Sequence, residues 1–403
     1  MSPHLRVVPA AASQLAADTA APEIVFVDAD KPMRDRLAIA TSSIGLGIDL
    51  SGGQVRIVAT RVDLERLQIV LSENDAAIAA ELDAYLRPVQ AWRLRTGSLP
   101  LDRPHVMGIV NLTDDSFSGD GVGRDIPSAL ERAQALRAAG ASLIDVGAES
   151  ARADRPVMAE GAEAELVGQA VAALIAEGHR VSVDTYKGEV AKAGLSAGAE
   201  LINDISGLTQ GTAAAQAAIH AGAGYVLNYS YSVPKRRPDA PPVYQDVVAE
   251  TVAWMAERIG ILVTSGIARE QVAIDPGIAF GKSHDEDIQV LRRIGELTTF
   301  GLPVLLAHSR KNFIGSINGQ QPNDRDIETQ VLSAMAYSQG VRIFRVHDVA
   351  GTRRAVEMAA ALAAHGPGAF APDAESWPWR AGIQGTHMTR GEAQGSAPAG
   401  QRW

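Results

Sequence analysis

The stretch Pro104-His105-Val106-Met107-Gly108-Ile109-Val110-Asn111-Leu112-Thr113 places a short apolar run, Val106–Val110, directly ahead of a hydrogen-bonding side chain. The pattern recurs at Leu143–Val146, Val181–Val183, Leu201–Ile202, Tyr225–Leu227, Val272–Ile274, Val304–Leu306 and Ile343–Val346. Runs this short and this apolar suit strands buried on both faces, and most are separated by amphipathic helical segments. In Pro127–Ala139 the apolar residues Ala129, Leu130, Ala133 and Leu136 recur near helical spacing. Pro127 suits the first turn of that helix and Gly140 its C-terminal cap. Eight strand–helix units in about 260 residues predict an α/β fold, a (β/α)8 TIM barrel. An open, doubly wound sheet is the alternative architecture.

The predicted barrel occupies 101–366. Ahead of it, 1–22 is expected to be a flexible lead and 23–100 a small α/β domain of unassigned role. That domain has strand candidates at Ile24–Asp28, Gln54–Ala59 and Gln68–Leu71, a turn at Ser51-Gly52-Gly53 and a helix over Ala76–Leu86. The segment 367–403 is rich in Gly, Pro and Ala without periodicity and is expected to be a disordered tail. The 403 residues are 46% hydrophobic and carry a formal charge of -10. Such an acidic chain is a poor general binder of nucleic acid, so any phosphate site must be a local basic spot. No cysteine is present, which excludes disulfides, thiolate metal sites and a cysteine nucleophile and fits a reducing cytoplasm. No stretch resembles a signal peptide or a transmembrane helix, so no membrane partner is expected. Gly281-Lys282-Ser283 lacks the earlier glycine of a phosphate-binding loop, because position 276 is Pro, and no His-x-x-x-His pattern suggests zinc.

Reacting groups in such barrels sit just past the C-terminal ends of the strands. The exits carry Asn111; Glu149, Ser150 and Arg152; Asp184; Asn203 and Asp204; Asn228; Asp275; His308, Ser309, Arg310 and Lys311; and Arg345, His347 and Asp348. Any one could be a helix cap or a surface ion pair, but the strands converge on one mouth. Asp184, Asn203 and Asp275 suit a flat heterocycle, since a carboxylate can take two parallel bonds from an amino-pyrimidine edge and would be costly to bury unpaired. Asn111, Arg345 and His347 suit an oxyanion, with Arg345 supplying a fixed fork of donors and Lys311 a mobile positive charge. The set describes a heterocycle carrying a phosphate-type leaving group.

Several stretches in this order resemble the dihydropteroate synthase family of pterin-binding barrels. They are Pro104–Thr113 continuing into Asp114-Asp115-Ser116-Phe117-Ser118, Ile144-Asp145-Val146-Gly147, Ser182-Val183-Asp184-Thr185 and Ile202-Asn203-Asp204-Ile205. Asp275-Pro276-Gly277 with Phe280-Gly281-Lys282, Ser309-Arg310-Lys311 and Arg345-Val346-His347-Asp348 follow. The resemblance implies a transferase that condenses 6-hydroxymethyl-7,8-dihydropterin diphosphate with para-aminobenzoate, in folate biosynthesis. It implies that Asp184, Asn203, Asp275, Phe280 and Lys311 bind the pterin, and that Asn111, Arg345 and His347 bind the diphosphate with Mg2+ at Asn111. Arg152 and Ser309 would lie near the amine. Lys311, Arg345, His347 and Asp115 would carry catalysis, with the loop of Asp115, Ser116 and Phe117 closing over the reactants. A homodimer is implied too.

The match departs from the family pattern mainly in the second loop, at Ala151 and Ala153, and at Ala307 and Asn228-Tyr229. These positions bear on the amine side more than on the pterin side. They leave open a paralogue that takes a phosphorylated arylamine for tetrahydromethanopterin synthesis through Lys235, Arg236 and Arg237. A pterin-dependent corrinoid methyltransferase is a further alternative.

Overall fold

The structure, a computed structural model, describes residues 5–8, 23–28, 30–50, 54–113, 121–149, 157–231 and 242–364. The N-terminal unit runs β1 (Leu5–Val8), β2 (Glu23–Asp28), α1 (Lys31–Ser43), β3 (Ile48–Asp49), β4 (Gln54–Ala59), α2 (Arg61–Asn74) and α3 (Ala76–Leu86). Its strands form an antiparallel sheet in the order β1-β2-β4-β3. Two expectations are corrected here. Leu5–Val8 is a paired strand, not part of a flexible lead; Val7 N–H donates to Thr299 Oγ1 at 2.8 Å and buried Arg6 pairs with Glu296 at 2.9 Å. Gln68–Leu71 is helical: Thr60 and Asp63 form a capping box at the start of α2, and Leu64, Leu67 and Leu71 bury one helical stripe. The turn at 51–53 and the tail at 367–403 lie outside the described residues.

The hairpin of β5 (Ala91–Arg93) and β6 (Ser98–Pro100), expected in the N-terminal domain, belongs to the barrel as its floor. Trp92, Leu94 and Leu99 pack against Met107, Leu143, Leu201, Val226, Ala273, Leu305 and Ile343, and the Trp92 indole donates to the Gln271 carbonyl at 2.9 Å. Water is thereby shut out of the N-terminal end of the barrel, where a fully buried apolar side chain contributes roughly 1.5–3 kcal/mol.

The barrel follows as β7 (His105–Asn111), α4 (Ile126–Ala138), β8 (Leu143–Gly147), α5 (Glu160–Ala176), β9 (Val181–Asp184), α6 (Gly188–Ser196), β10 (Leu201–Asp204), α7 (Ala213–Ala221) and β11 (Gly224–Asn228). It continues as α8 (Val247–Thr264), β12 (Val272–Asp275), α9 (His284–Arg292), β13 (Leu305–Leu306), α10 (Asn312–Asn318), α11 (Asp326–Ser338), β14 (Ile343–Val346) and α12 (Val349–Ala364). All eight strands pair in parallel in the order β12-β11-β10-β9-β8-β7-β14-β13. A parallel bridge from Ile274 to Val304, next to β13, closes the ring and removes the open-sheet alternative. Successive side chains along a strand point in and out in turn. Ile144, Val146, Ile202, Phe344 and Val346 face the helices, while Leu143, Leu201 and Ile343 fill the floor. Two residues further along the same strands come Asp145, Asn203 and Arg345, so the interior changes from apolar to charged on approaching the mouth. No helix among the described residues is long and apolar enough to cross a membrane.

Candidate active site

Arg345 stands at the centre of the mouth. Its Nε donates to Asp145 Oδ2 at 2.6 Å and its Nη2 to Asp184 Oδ2 at 2.7 Å, so one planar fork joins carboxylates from β8 and β9. Asn203 Nδ2 donates to the same Asp145 oxygen at 3.2 Å. The sequence grouped Arg345 with anion ligands on a side of their own; in the structure it lies between two carboxylates. Burial works against its charge, but Asp145 and Asp184 hold the guanidinium above its usual range. Burial pushes Asp184 up to about 7, with Arg345 opposing and Asp145, Glu163 and Asp204 adding to the rise. Asp204, at the end of the same strand as Asn203, points the other way and accepts from Tyr225 Oη at 2.5 Å among the outer-layer residues.

The exit of β12 supplies the next wall. Asp275 is buried and its Oδ1 accepts the Gly277 N–H at 2.7 Å. Gly277 has φ +65, and a Cβ there would lie 1.9 Å from the Tyr229 carbonyl oxygen, so the turn that orients Asp275 requires glycine. Burial raises the Asp275 carboxyl, while Lys311, the Gly277 amide, Arg345 and Lys282 act to lower it. Lys311 Nζ donates to the Ile278 carbonyl at 2.5 Å and lies 4.9 Å from the Phe280 ring centre. Burial brings Lys311 down to about 8, against the pull of Asp275 and Asp287.

Three functional groups escaped the sequence reading. Asp145 appeared only inside a motif, although a charge within the apolar run Leu143–Val146 demands a partner once buried. Lys282 donates to the Pro276 and Gly277 carbonyls at 2.9 and 3.2 Å and sits 3.5 Å from the Tyr229 ring centre. Burial lowers it to about 7. Asp287 Oδ1 accepts from Ala279 N–H at 2.9 Å, and burial raises it to about 6. Both brace the turn 276–279, and nothing local in the sequence marks this beyond Lys282 following Phe280 and Gly281.

On the opposite side, Ser309 Oγ lies 2.9 Å from His347 Nδ1 and accepts the His347 backbone N–H at 3.3 Å. The hydroxyl proton is thus available to Nδ1, a pairing that favours the tautomer carrying its hydrogen on Nε2. Ser309, expected near the amine, is buried and holds His347 in place. Asn111 ends β7 beside Gly147, its side chain half-buried. Asp115, Ser116, Phe117, Ala151, Arg152, Ala153, Lys235, Arg236 and Arg237 all fall outside the described residues. Among the described residues no group of three or more His, Asp or Glu could hold a metal ion. The oxygen that Asn111 offers suits an ion that keeps most of its ligands from water and phosphate.

Residues 107–347 match the family model described as pterin binding enzyme. The chain is 37% identical over 265 residues to the dihydropteroate synthase of Escherichia coli K12, covering 65% of this chain and 92% of that protein. A solved Yersinia pestis dihydropteroate synthase in complex with a sulfonamide drug superposes with TM-score 0.64 at 36% identity, covering 67% of this chain and 98% of the other. A Xanthomonas albilineans dihydropteroate synthase in complex with 7,8-dihydropteroate gives TM-score 0.57 at 34% identity, covering 66% and 95%.

Proposed function

The chain belongs to the pterin-binding enzymes and, within them, to the dihydropteroate synthases, and on that footing we propose the reaction its barrel mouth performs: 6-hydroxymethyl-7,8-dihydropterin diphosphate and para-aminobenzoate condense to dihydropteroate and diphosphate, in folate biosynthesis. The observation that carries this reading is the meeting of Asp184, Asp275, Lys311 and Arg345 in one buried mouth, where each perturbs the ionisation of another. Asp275 and Asp184 accept N–H bonds from the ring, Asn203 adds an amide, and Phe280 beneath Lys311 lines the wall. The bond between the pterin methylene and the diphosphate oxygen breaks, its electrons leaving with diphosphate. The lone pair of the amine nitrogen forms the new C–N bond, and the surplus N–H proton passes to solvent. Arg345 and His347 Nε2–H donate to the departing diphosphate, which is the electrostatic help of greatest weight in such a reaction. An arylamine is already a neutral nucleophile, so positioning and exclusion of water matter more than a general base.

Asn111 would offer its neutral oxygen to Mg2+, which when bound would neutralise charge on the leaving group. Asp115 closing over the reactants and Arg152 near the amine complete the reading. The molecules handled are small and soluble, and a cytoplasmic homodimer fits the surface. Ile327, Val331 and Met335 are 71%, 53% and 58% exposed along one stripe of α11, and Met358 and Leu362 are exposed on neighbouring α12. Exposed apolar groups of this kind mark contact surfaces. Sedimentation should give a dimer, and Val331→Glu a monomer.

The reaction is tested by incubating the protein with dihydropterin diphosphate and either para-aminobenzoate or a phosphorylated arylamine, and reading product masses. Dihydropteroate from the first amine is the expected result; product from the phosphorylated amine alone would replace it with the paralogue reading.

A further inference from the structure

The turn at the exit of β13 is held from outside the barrel, by a helix that supplies no group to the reaction. Residues 308–311 form a turn closed by the Lys311 N–H on the His308 carbonyl at 3.2 Å. Arg310, its third residue, has φ +59, a left-handed conformation for which such turns ordinarily use glycine or asparagine. Ser309 before it reaches His347, and Lys311 after it reaches the Ile278 carbonyl. The start of α11 holds Arg310 in this conformation. The Arg310 N–H donates to Thr329 Oγ1 at 3.3 Å, and its carbonyl accepts from Arg325 Nη1 at 2.9 Å. Its guanidinium donates twice to Asp326, Nε to Oδ1 and Nη2 to Oδ2, both at 2.8 Å. Arg325 Nη1 also reaches the Lys311 carbonyl at 3.3 Å, and His308 Nε2 lies 3.0 Å from the Thr329 carbonyl. Thr329, Ser333, Ala336 and Tyr337 bury the inner stripe of α11, so the holding end belongs to a packed helix.

We propose that Asp326 is a positioning residue for Lys311, acting through the two-bond fork that holds Arg310 in its left-handed conformation. The proposal rests on the condensation reaction proposed above. A purely structural task for Asp326 is easily stated: an acid in the first turn of a helix meets the positive end of its dipole, and an exposed ion pair contributes little. Two features go further. The pair is a planar fork with side chains 14% and 27% exposed, which fixes orientation as well as distance. Its arginine also occupies a backbone conformation that is costly for any side chain, directly before the lysine of the mouth. Released from the fork, Arg310 moves toward the ordinary right-handed or extended region, a rotation of roughly 120° about its N–Cα bond. Residues before that bond stay in place, because β13 and the His308 ring hold Ser309 against His347. Residues after it swing, and Lys311 leaves the Ile278 carbonyl, the Phe280 ring and the electrostatic reach of Asp275.

The test compares Asp326→Ala with the double variant Asp326→Ala/Arg310→Gly, on the full chain. Glycine adopts a positive φ without help, so the second substitution removes a further side chain and yet supplies the conformation that the first one loses. In Asp326→Ala the Kd for the pterin diphosphate, by calorimetry, should rise at least five-fold and kcat/KM should fall at least ten-fold. The Kd for inorganic diphosphate, which Arg345 and His347 would meet, should stay within two-fold. The double variant should return the pterin diphosphate Kd to within two-fold of the parent. A rise of less than five-fold in Asp326→Ala overturns the proposal. So does an equal loss for the two ligands, or a double variant no better than the single one. Should Asp326→Ala not fold, Asp326→Asn decides: it keeps the acceptor for Nε and loses the charged one for Nη2. A rise of at least two-fold in the pterin diphosphate Kd, reversed by Arg310→Gly, is then expected, and a smaller rise is contrary. Turnover of para-aminobenzoate by the parent enzyme is the control; its failure would strike the reaction itself, whereas the two Kd values report on the fork.

Discussion

Asp145→Asn tests the organisation of the site most directly. The side chain is fully buried, and its Oδ2 takes a charged bond from Arg345 at 2.6 Å and a neutral one from Asn203 at 3.2 Å. The amide keeps the shape and one acceptor but removes the charge. A hydrogen bond to a charged group contributes about 1.5–3 kcal/mol, and removing one member of a buried ion pair costs about 3–5 kcal/mol. Arg345 retains Asp184, so the hydrogen-bond figure applies rather than the ion-pair one, about 2 kcal/mol of folding stability. The same loss of anchoring, felt when Arg345 must meet the leaving diphosphate, corresponds to roughly thirty-fold in kcat/KM at 1.36 kcal/mol per decade. Asp145 also raises Asp184, so its neutralisation lets Asp184 ionise at lower pH. Urea unfolding and the pH profile of kcat/KM report the two effects separately. An unmoved acid limb together with kcat/KM within three-fold of the parent would refute the idea that Asp145 governs Arg345 and Asp184.

For the parent enzyme, kcat/KM should be bell-shaped. The acid limb lies near 7, where Asp184 must lose its proton to accept from the ring, and the alkaline limb near 8, where Lys311 loses its charge; Lys311→Arg should carry the alkaline limb upward. Asp275→Asn should weaken pterin binding by about 2 kcal/mol in calorimetry, since the ring loses a charged acceptor while Gly277 N–H keeps a neutral one; equal affinities would remove Asp275 from the site. Ala279 sits at φ +68, a conformation that costs a non-glycine about 1–2 kcal/mol, partly offset by the extra freedom of an unfolded glycine. Ala279→Gly should therefore stabilise by about 0.5–1 kcal/mol, and a lower melting temperature would count against it. Diphosphate binding at pH 7 should take up protons, because it adds negative charge beside Asp184 and draws away the Arg345 that lowers it. Calorimetry in two buffers of different ionisation enthalpy measures the sign, and net release is the contrary result.

The barrel was legible because its information is local. All eight apolar runs became strands, with ends moved by a residue or two where a polar inward residue such as Asp184 or Asn203 extends the ladder. Ala76–Leu86 forms the helix its pattern predicts, between Asp75 as cap and Arg87. Gln68–Leu71 failed because a short apolar run fits either period, and the capping box eight residues upstream decides for helix. The hairpin at 91–100 failed for a different reason: Trp92 and Leu99 pair with each other across it, but the surface that buries them is the closed floor of the barrel, built from strands far along the chain. Within the site, the type of each strand-end residue was readable, but its partner was not. That Arg345 reaches Asp145 across 200 positions, and that Ser309 turns inward to His347, are properties of closure and of strand register.

The pairing of Arg345 changes how the two halves of the substrate relate. A heterocycle subsite beside a separate anion subsite would bind each half independently. Here the guanidinium that pairs with Asp145 and Asp184 is also the one proposed to meet the diphosphate, so under that reading binding of either half would alter the other. Asp184 keeps 19% of its side chain open to the mouth and Asp145 none, which makes Asp184 the partner that Arg345 can release. A ring that donates N–H bonds to Asp184 takes over part of the role Arg345 plays there, and the fork is then free to follow the diphosphate. When diphosphate leaves without the ring, Arg345 returns to a carboxylate that needs it. Under the proposed reaction, such an exchange would let one buried cation serve the carboxylates and the developing leaving group in turn, without an unpaired charge at either stage.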